Sequence, residues 1–423
     1  MASVGVIGAG YVGLTTAACL AHLGHVVRCS DVEARRVEQL SAGEVPIVED
    51  GLAELVREGF AAGRLFFGTS NRWAVEEAGF TFLCVPTPQG TDGRADMSYI
   101  EEAAGEIGPH LRSESVVVNK STVPVGSTKV VERSLCRPDV SVVSNPEFLR
   151  EGSAVHDFLH PDRIVIGADD ESVAVKVAGL FLRTSAPLVV TDPSSAETIK
   201  YASNAFLATK VSFVNAIAAL CEVVGADVRQ VVLGMGSDHR IGAEFLKPGP
   251  GWGGSCFPKD TMALVRIAED AGYDFGLLKG VIQVNDEQYQ RVVAKAERLA
   301  GGSLAGAKVA LWGLTFKART DDLRSSPAIE VAARLKAKGA TVQVYDPTVR
   351  DPLDGFDVRA DPYAACEGAA VLVVGTEWDE LRWLDFDKVG GLMANRAVVD
   401  ARNLLEPATL RRAGFVYEGI GLR

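Results

Sequence analysis

Residues 4–13 read Val-Gly-Val-Ile-Gly-Ala-Gly-Tyr-Val-Gly. A β-branched run passes at once into the pattern Gly8-x-Gly10-x-x-Gly13. A helical pattern follows from Leu14 to Leu23, Gly24 ends it, and Val26–Cys29 makes a second strand closed by Asp31. Strand, glycine turn, helix, strand and acidic residue in that order make a βαβ unit built for a dinucleotide. Gly8 permits the tight turn, Gly10 lets a pyrophosphate approach the backbone, and Gly13 lets the helix pack on the strand. The helix N-terminus then faces the phosphates, so Gly8, Gly10, Tyr11, Val12 and Gly13 of the turn are candidate cofactor contacts. Asp31 accepts the ribose hydroxyls and repels a 2′-phosphate, which favours NAD over NADP, although Arg35 and Arg36 pull weakly the other way.

Outward from this unit, strand-like runs recur at Thr81–Val85, Val116–Asn119, Val140–Val143 and Arg163–Gly167, separated by helical stretches. Alternating β and α predicts a doubly wound parallel sheet over residues 1–193. From 194 to 303 the pattern is helical, opening on a capping-box spacing from Ser194 to Glu197 and a long helix. Only Phe245–Ser255, with four Gly and two Pro, resists regular structure. At Lys308 the alternation returns: strands are predicted at Lys308–Trp312, Thr341–Tyr345, Val371–Gly375 and Ala397–Asp400, with a helix at Pro327–Lys338. The turn after the first of these is Gly313-Leu314-Thr315-Phe316-Lys317, not the dinucleotide pattern, so residues 304–423 read as a second Rossmann-like domain with a different ligand. The expected fold is therefore α/β, with two Rossmann-like domains joined by a central helical domain.

The 423 residues carry a net charge of −12 and are 47% hydrophobic. That excludes a disordered chain and argues against broad nucleic-acid binding, which needs a basic face. The seven cysteines are scattered, with no CxxC pair and no His cluster. A disulfide framework or metal site is not expected, and reduced thiols in a cytoplasm are. No signal-peptide pattern opens the chain, and no stretch nears about 18 uninterrupted apolar residues, so no membrane partner is expected.

Cys256 is the candidate nucleophile. It lies in Gly253-Gly254-Ser255-Cys256-Phe257-Pro258-Lys259-Asp260, where Pro258 suits the first helical position. A helix N-terminus and the nearby Lys259 both lower a thiol pKa, and the flanking glycines leave room for substrate. Cys19, Cys136 and Cys221 fall on helices and Cys29 and Cys84 on strands, as small core residues. Lys200 and Asn204, four apart on one helix, share a face that can present an ammonium and a carboxamide to one oxygen; two solvated polar residues are the plain alternative. Asp260 is a possible site residue or simply an N-terminal helix charge. Ser121–Gly126 and Asn145–Gly152 are loops at carboxyl ends of strands, where α/β sites form. Lys317, Arg324 and Arg402 stand at strand ends or turns of the second sheet, as phosphate contacts or solvated charges.

With these residues in place, the whole chain resembles the UDP-glucose/GDP-mannose dehydrogenase family. The matching strings run end to end: GVIGAGYVGL (5–14), CVPTP (84–88), STVPVGST (121–128), NPEFLREG (145–152), PDRIVIG (161–167), ETIKYASNAFLATKVSFVNAI (197–217), GSDHRIG (236–242), FLKPGPGWGGSCFPKD (245–260), GLTFKARTDDLRSSPA (313–328) and DARN (400–403). The resemblance implies oxidation of a nucleotide sugar's C6 alcohol to a carboxylate with two NAD, through a thiohemiacetal and a thioester on Cys256. Lys200 and Asn204 match the residues that stabilise the oxygen. Asp260 and Thr122 match the pair that holds a water, and Glu147 matches the base for thioester hydrolysis. Val12, Asp31, Arg36, Thr87, Thr122, Glu151, Lys259 and Arg324 match NAD contacts. The segment Glu147, Phe148, Leu149, Arg150 and Glu151 matches substrate contacts, together with Lys200 and Asn204. So do Phe245, Leu246, Lys247, Pro248, Gly249, Gly253, Lys317 and Arg402. Arg240 matches an arginine given to a neighbouring subunit's substrate, implying a homodimer.

FPKD with FLKPG before it favours UDP-glucose, giving UDP-glucuronate for polysaccharide synthesis, over GDP-mannose. Trp252 departs from the family's usual Tyr or Phe. Among rivals, a β-hydroxyacid dehydrogenase shares the Rossmann domain and the Lys-x-x-x-Asn face but has neither the cysteine nor the second sheet domain. A non-catalytic NAD sensor conflicts with the complete set of catalytic-motif residues.

Overall fold

The computed structural model describes residues 1–90 and 93–422. The chain forms two compact units, Met1–Ser203 with Met262–Ala271, and Asn204–Thr261 with Gly272–Arg423.

The first unit holds an eight-stranded sheet. Its strands are β1 (Ser3–Ile7), β2 (Val26–Ser30), β3 (Leu65–Gly68), β4 (Phe80–Leu83), β5 (Val116–Asn119), β6 (Ser141–Ser144), β7 (Ile164–Gly167) and β8 (Leu188–Thr191). They lie in the order β3-β2-β1-β4-β5-β6-β7-β8, parallel except at the β6–β7 junction. The first six positions give the nucleotide-binding order 3-2-1-4-5-6. Helix Tyr11–His22 shows why this sheet forms. It is apolar around its whole circumference and buries every residue from Gly13 to Ala21, as a helix must when packed between a sheet and other helices. The sheet is covered on both faces by separate cores, one around Leu14, Leu20 and Phe82, the other around Ile100, Ile107 and Val117.

The second unit holds β9 (Lys308–Trp312), β10 (Thr341–Tyr345), β11 (Asp357–Val358), β12 (Val371–Val374), β13 (Ala397–Asp400) and β14 (Val416–Gly419). The order β11-β10-β9-β12-β13-β14 repeats 3-2-1-4-5-6, all parallel. One face packs on Ala218, Cys221, Val292, Val293 and Ala296 of two helices.

The α/β class, both Rossmann-like sheets and the long helix Pro193–Val224 agree with the sequence reading. That helix is long and apolar enough, by length and composition, to cross a membrane. Its Ser212 and Asn215 are nevertheless buried and hydrogen-bonded to other segments, as in a core helix. Two local readings are corrected. The capping box is absent: the Ser195 N–H bonds to Asp192, while the Glu197 carboxylate accepts from Gly126 N–H, Thr128 N–H and the Thr128 hydroxyl. Cys136 is not a core residue: it is exposed and caps Ser127–Leu135 at φ 52°. The strands β3, β8, β11 and β14 carry no pattern that the sequence reading isolated.

Candidate active site

In the first unit the glycine loop fits a dinucleotide. A Cβ on Gly8 (φ +97°) would lie 2.7 Å from the Cys84 carbonyl oxygen, and one on Gly13 would lie 1.9 Å from that of Gly8. The space beside Gly10 is open, with nothing within 4 Å, on the residue where a pyrophosphate approaches. No side chain caps the helix that starts at Tyr11, and no acidic residue stands in its first turn. Its N-terminus is therefore left to an anion. Asp31, just past β2, is buried and bonds the N–H groups of Ala9 (2.7 Å) and Glu33 (2.9 Å), with Arg36 at 3.2 Å. The carboxylate thus shapes the glycine loop. Thr87 and Thr122 are brought together: the Thr87 hydroxyl donates to the Thr122 carbonyl at 2.9 Å, and both are buried.

At the carboxyl end of β6, Glu147 folds back so that its Oε2 accepts the Leu149 N–H at 2.7 Å, while its Oε1 lies 2.8 Å from Lys200 Nζ. Both side chains are about 5% exposed. Burial alone would raise the Glu147 pKa. The Lys200 ammonium and the Leu149 N–H outweigh it and hold the carboxyl below its ordinary value. Lys200 Nζ also stands 5.5 Å from the Phe148 ring centre. Arg150 turns outward to Asp157 (2.6 Å), and Glu151 is half-buried.

Two side chains missed in the sequence reading, Glu49 and Lys120, and Glu197, expected there in a capping box, complete this half. Glu49 receives the Tyr11 hydroxyl and the N–H groups of Gly152 (2.6 Å) and Val155 (3.5 Å). Glu197 clamps the start of the helix that follows the Thr122 loop. Lys120 is buried beside Glu147. Each is a charged residue in an otherwise apolar or loop context, the one signal that could have drawn notice.

In the second unit Cys256 is half-exposed and reduced, directly before helix Phe257–Asp270. Its carbonyl accepts the Asp260 N–H at 2.9 Å, and the Ser255 hydroxyl lies 3.5 Å from its sulfur. The helix starts at Phe257, so Pro258 is its second residue rather than its first. Asp260, almost fully buried, binds the Asn204 carboxamide and the Lys259 ammonium, each at 2.6 Å. Lys259 is thus fixed on Asp260, three residues after the cysteine.

The glycine-rich segment before Cys256 is held by polar groups of two helices. The Gly249 N–H bonds Asn215, and its carbonyl accepts from Gln288. Trp252 donates its indole N–H to Ser212 and its backbone N–H to Asn285, and its carbonyl accepts from Asn285 and Tyr289. Leu246 is buried, Phe245 (φ 62°) stacks near Phe257, and Lys247 points to solvent. A Cβ on Gly253 would sit 2.0 Å from the Ser325 carbonyl oxygen. Arg402 donates to the carbonyls of Gly375 (2.9 Å) and Phe316 (2.7 Å) and pairs with Glu377, which fixes it at the carboxyl edge of the second sheet. Lys317 Nζ stands 5.7 Å from the Phe316 ring. Arg324 and Arg240 are exposed, each forked onto its own near neighbour, Asp322 or Asp238. Among the described residues no group of three or more His, Cys, Asp or Glu is placed to hold a metal ion.

This arrangement defines a nicotinamide-dinucleotide oxidoreductase with a candidate thiol nucleophile. Family models match along the chain: the NAD binding domain of the UDP-glucose/GDP-mannose dehydrogenase family over residues 2–184, its central domain over 194–287 and its UDP binding domain over 310–407. The chain belongs to the UDP-glucose/GDP-mannose dehydrogenase family, and its cofactor is NAD. It is 46% identical to the UDP-glucose 6-dehydrogenase of Rhizobium meliloti, over 98% of each chain, and 44% identical to that of Pseudomonas aeruginosa, over 98% of this chain and 96% of the other. The solved structure of a UDP-glucose dehydrogenase from Pyrobaculum islandicum superposes with a TM-score of 0.92 at 39% identity, covering 100% of this chain and 98% of that one.

Proposed function

We propose that the protein oxidises the C6 alcohol of UDP-glucose to the carboxylate, giving UDP-glucuronate, with Cys256 as nucleophile. The observation that carries the reading is the thiol at the head of a helix, in a glycine segment that backbone-directed side chains hold rigid, within a family of this chemistry. A primary alcohol going to an acid loses four electrons, so two NAD are consumed, each accepting one hydride. Lys200 and Asn204 stabilise the oxygen at C6, a role worth roughly 2.7–4 kcal/mol for one donor. The Cys256 thiolate adds to the aldehyde carbon, forming the C–S bond of a thiohemiacetal and keeping the aldehyde from escaping. The second oxidation leaves a thioester. Glu147 takes a proton from water, the hydroxide adds to the carbonyl, and the C–S bond breaks to return the thiolate. Asp260 and Thr122 hold that water. Gly8 to Gly13, Asp31, Arg36, Thr87, Glu151, Lys259 and Arg324 bind the cofactor. Phe245–Gly249, Gly253, Lys317 and Arg402 bind the UDP-sugar, and Phe148–Glu151 border the hexose. Supporting the Glu147 assignment, the carboxyl is held ionised, as a base must be.

The domain division read from the sequence, 1–193, 194–303 and 304–423, belongs to this proposal. So does a homodimer. Phe206, Phe213 and Leu220 recur every seventh residue on the long helix and are each at least half exposed, the spacing of a helix-pairing seam. Arg240, largely exposed, reaches the partner's substrate. Seven free cysteines accord with a cytoplasmic location.

The test is NADH formed per sugar nucleotide at completion, with UDP-glucose and GDP-mannose assayed separately. Two from UDP-glucose alone support the reading, and two from GDP-mannose alone reassign the sugar. One from either means release at the aldehyde and removes the role of Cys256. In the Cys256→Ser enzyme, normal turnover to the acid would overturn the thioester route.

A further inference from the structure

Below Glu147 lies a cavity of about 130 Å³, walled by Lys120, Asn145, Glu147, Phe148, Phe158 and Phe181 among others. Lys120 is the residue that makes this wall unusual. It follows β5 directly and is only 5% exposed. Its ammonium donates to the Asn145 carboxamide oxygen at 3.1 Å and stands 5.8 and 5.9 Å from the ring centres of Phe158 and Phe181. Asn145 is locked in turn, donating to the Val165 carbonyl at 2.8 Å. Buried lysines ordinarily take a carboxylate as hydrogen-bond partner or lose their charge. Here the ammonium is held by an amide and two aromatic faces, and the carboxylate whose field it feels is Glu147.

We propose that Lys120 is a positioning residue that acts through Glu147, a second cation that keeps this carboxylate ionised and ready to take a proton from water. The inference rests on the hydrolytic role proposed for Glu147. Lys200 pairs with Glu147 directly, yet the same ammonium is needed at the reacting oxygen. A cation that never touches substrate stabilises the carboxylate independently of what Lys200 binds. Burial lowers the Lys120 ammonium and the Glu147 carboxylate holds it up, the balance lying at about 8, above neutrality. The other charged groups facing these two are Lys200 from the long helix and, around the cavity, Arg150 paired to Asp157, Arg163 over the Phe148 ring, and Asp162. His156 and His160 stack on each other at the same wall, and Cys84 lies behind Lys120.

The experiment compares Lys120→Met, Lys120→Arg and Glu147→Gln in the full-length enzyme, each checked for native circular dichroism. Reactions with UDP-glucose and NAD are quenched in the first turnover, and the protein is weighed for a sugar acid on Cys256. Lys120→Met is expected to accumulate the thioester and to shift the acid limb of kcat upward by about one pH unit. KM for both substrates is expected to stay within about twofold, because Lys120 touches neither. Lys120→Arg restores the wild-type acid limb. Adding Lys120→Met to Glu147→Gln produces no further slowing of hydrolysis. If Lys120→Met does not fold, Lys120→Gln carries the same test. An unmoved acid limb with no thioester in Lys120→Met, while Glu147→Gln does accumulate it, overturns the role of Lys120 alone. No thioester in Glu147→Gln removes the hydrolytic role of Glu147 and this inference with it.

Discussion

Glu147 Oε1 and Lys200 Nζ lie 2.8 Å apart with both side chains about 5% exposed, a buried ion pair joining the loop after β6 to the long helix. Breaking such a pair on one side leaves an uncompensated charge, at a cost of about 3–5 kcal/mol.

Lys200→Met is therefore expected to destabilise the first unit strongly at pH 7, in addition to removing activity. In the native protein the depressed Glu147 pKa contributes stability that is present above the unfolded value, about 4.3, and is lost as pH falls through the folded value. Without Lys200 only the Leu149 N–H and the Lys120 ammonium oppose burial, so the depression shrinks, and with it the stability that the ionised carboxyl contributes at neutral pH. Urea unfolding at pH 7 and pH 4.5 reads this directly: the deficit of the variant shrinks at the lower pH, and Glu147→Gln added to Lys200→Met relieves most of it at pH 7. A deficit independent of pH would refute the pairing as its cause.

Glu49 ties Tyr11 of the glycine loop to Gly152 and Val155, far along the chain. Glu49→Leu strands the Tyr11 O–H, at about 1–3 kcal/mol for an unsatisfied buried donor, and leaves the Gly152 N–H with the Tyr11 oxygen alone, at 2.9 Å. Calorimetric titration with NAD is expected to show weaker binding, since Tyr11 begins the helix proposed to meet the cofactor. NAD affinity equal to wild type would show that the loop holds its shape without the clamp.

Gly253 meets the Ser325 carbonyl so closely that a single methyl cannot be placed without moving the backbone. Gly253→Ala is expected to weaken UDP binding at least tenfold, a displacement cost of about 1.4 kcal/mol or more, with little change in NAD affinity. Equal losses for both ligands would place the damage elsewhere.

The two sheets, the long helix and the cofactor are legible in the residue pattern alone. Runs such as Val116–Val118 and Val309–Trp312 are apolar because parallel strands are buried on both faces, and the structure places strands on Val116–Asn119 and Lys308–Trp312. The glycines of the first turn carry their reason in local backbone geometry, so Gly8, Gly10 and Gly13 were legible without a fold. Strand β8 was not, because its side chains are largely exposed and show no inward run. The destinations of buried charges were also hidden. Glu197 sits at the right distance from Ser194 for a capping box, yet its carboxylate lies on Thr128, 69 residues away, and Lys200 meets Glu147 across 53. Periodicity reports which face of an element is buried. Which carboxylate meets which ammonium depends on segments that only the closed sheet brings side by side, as it does for Lys120, Glu147 and Glu49.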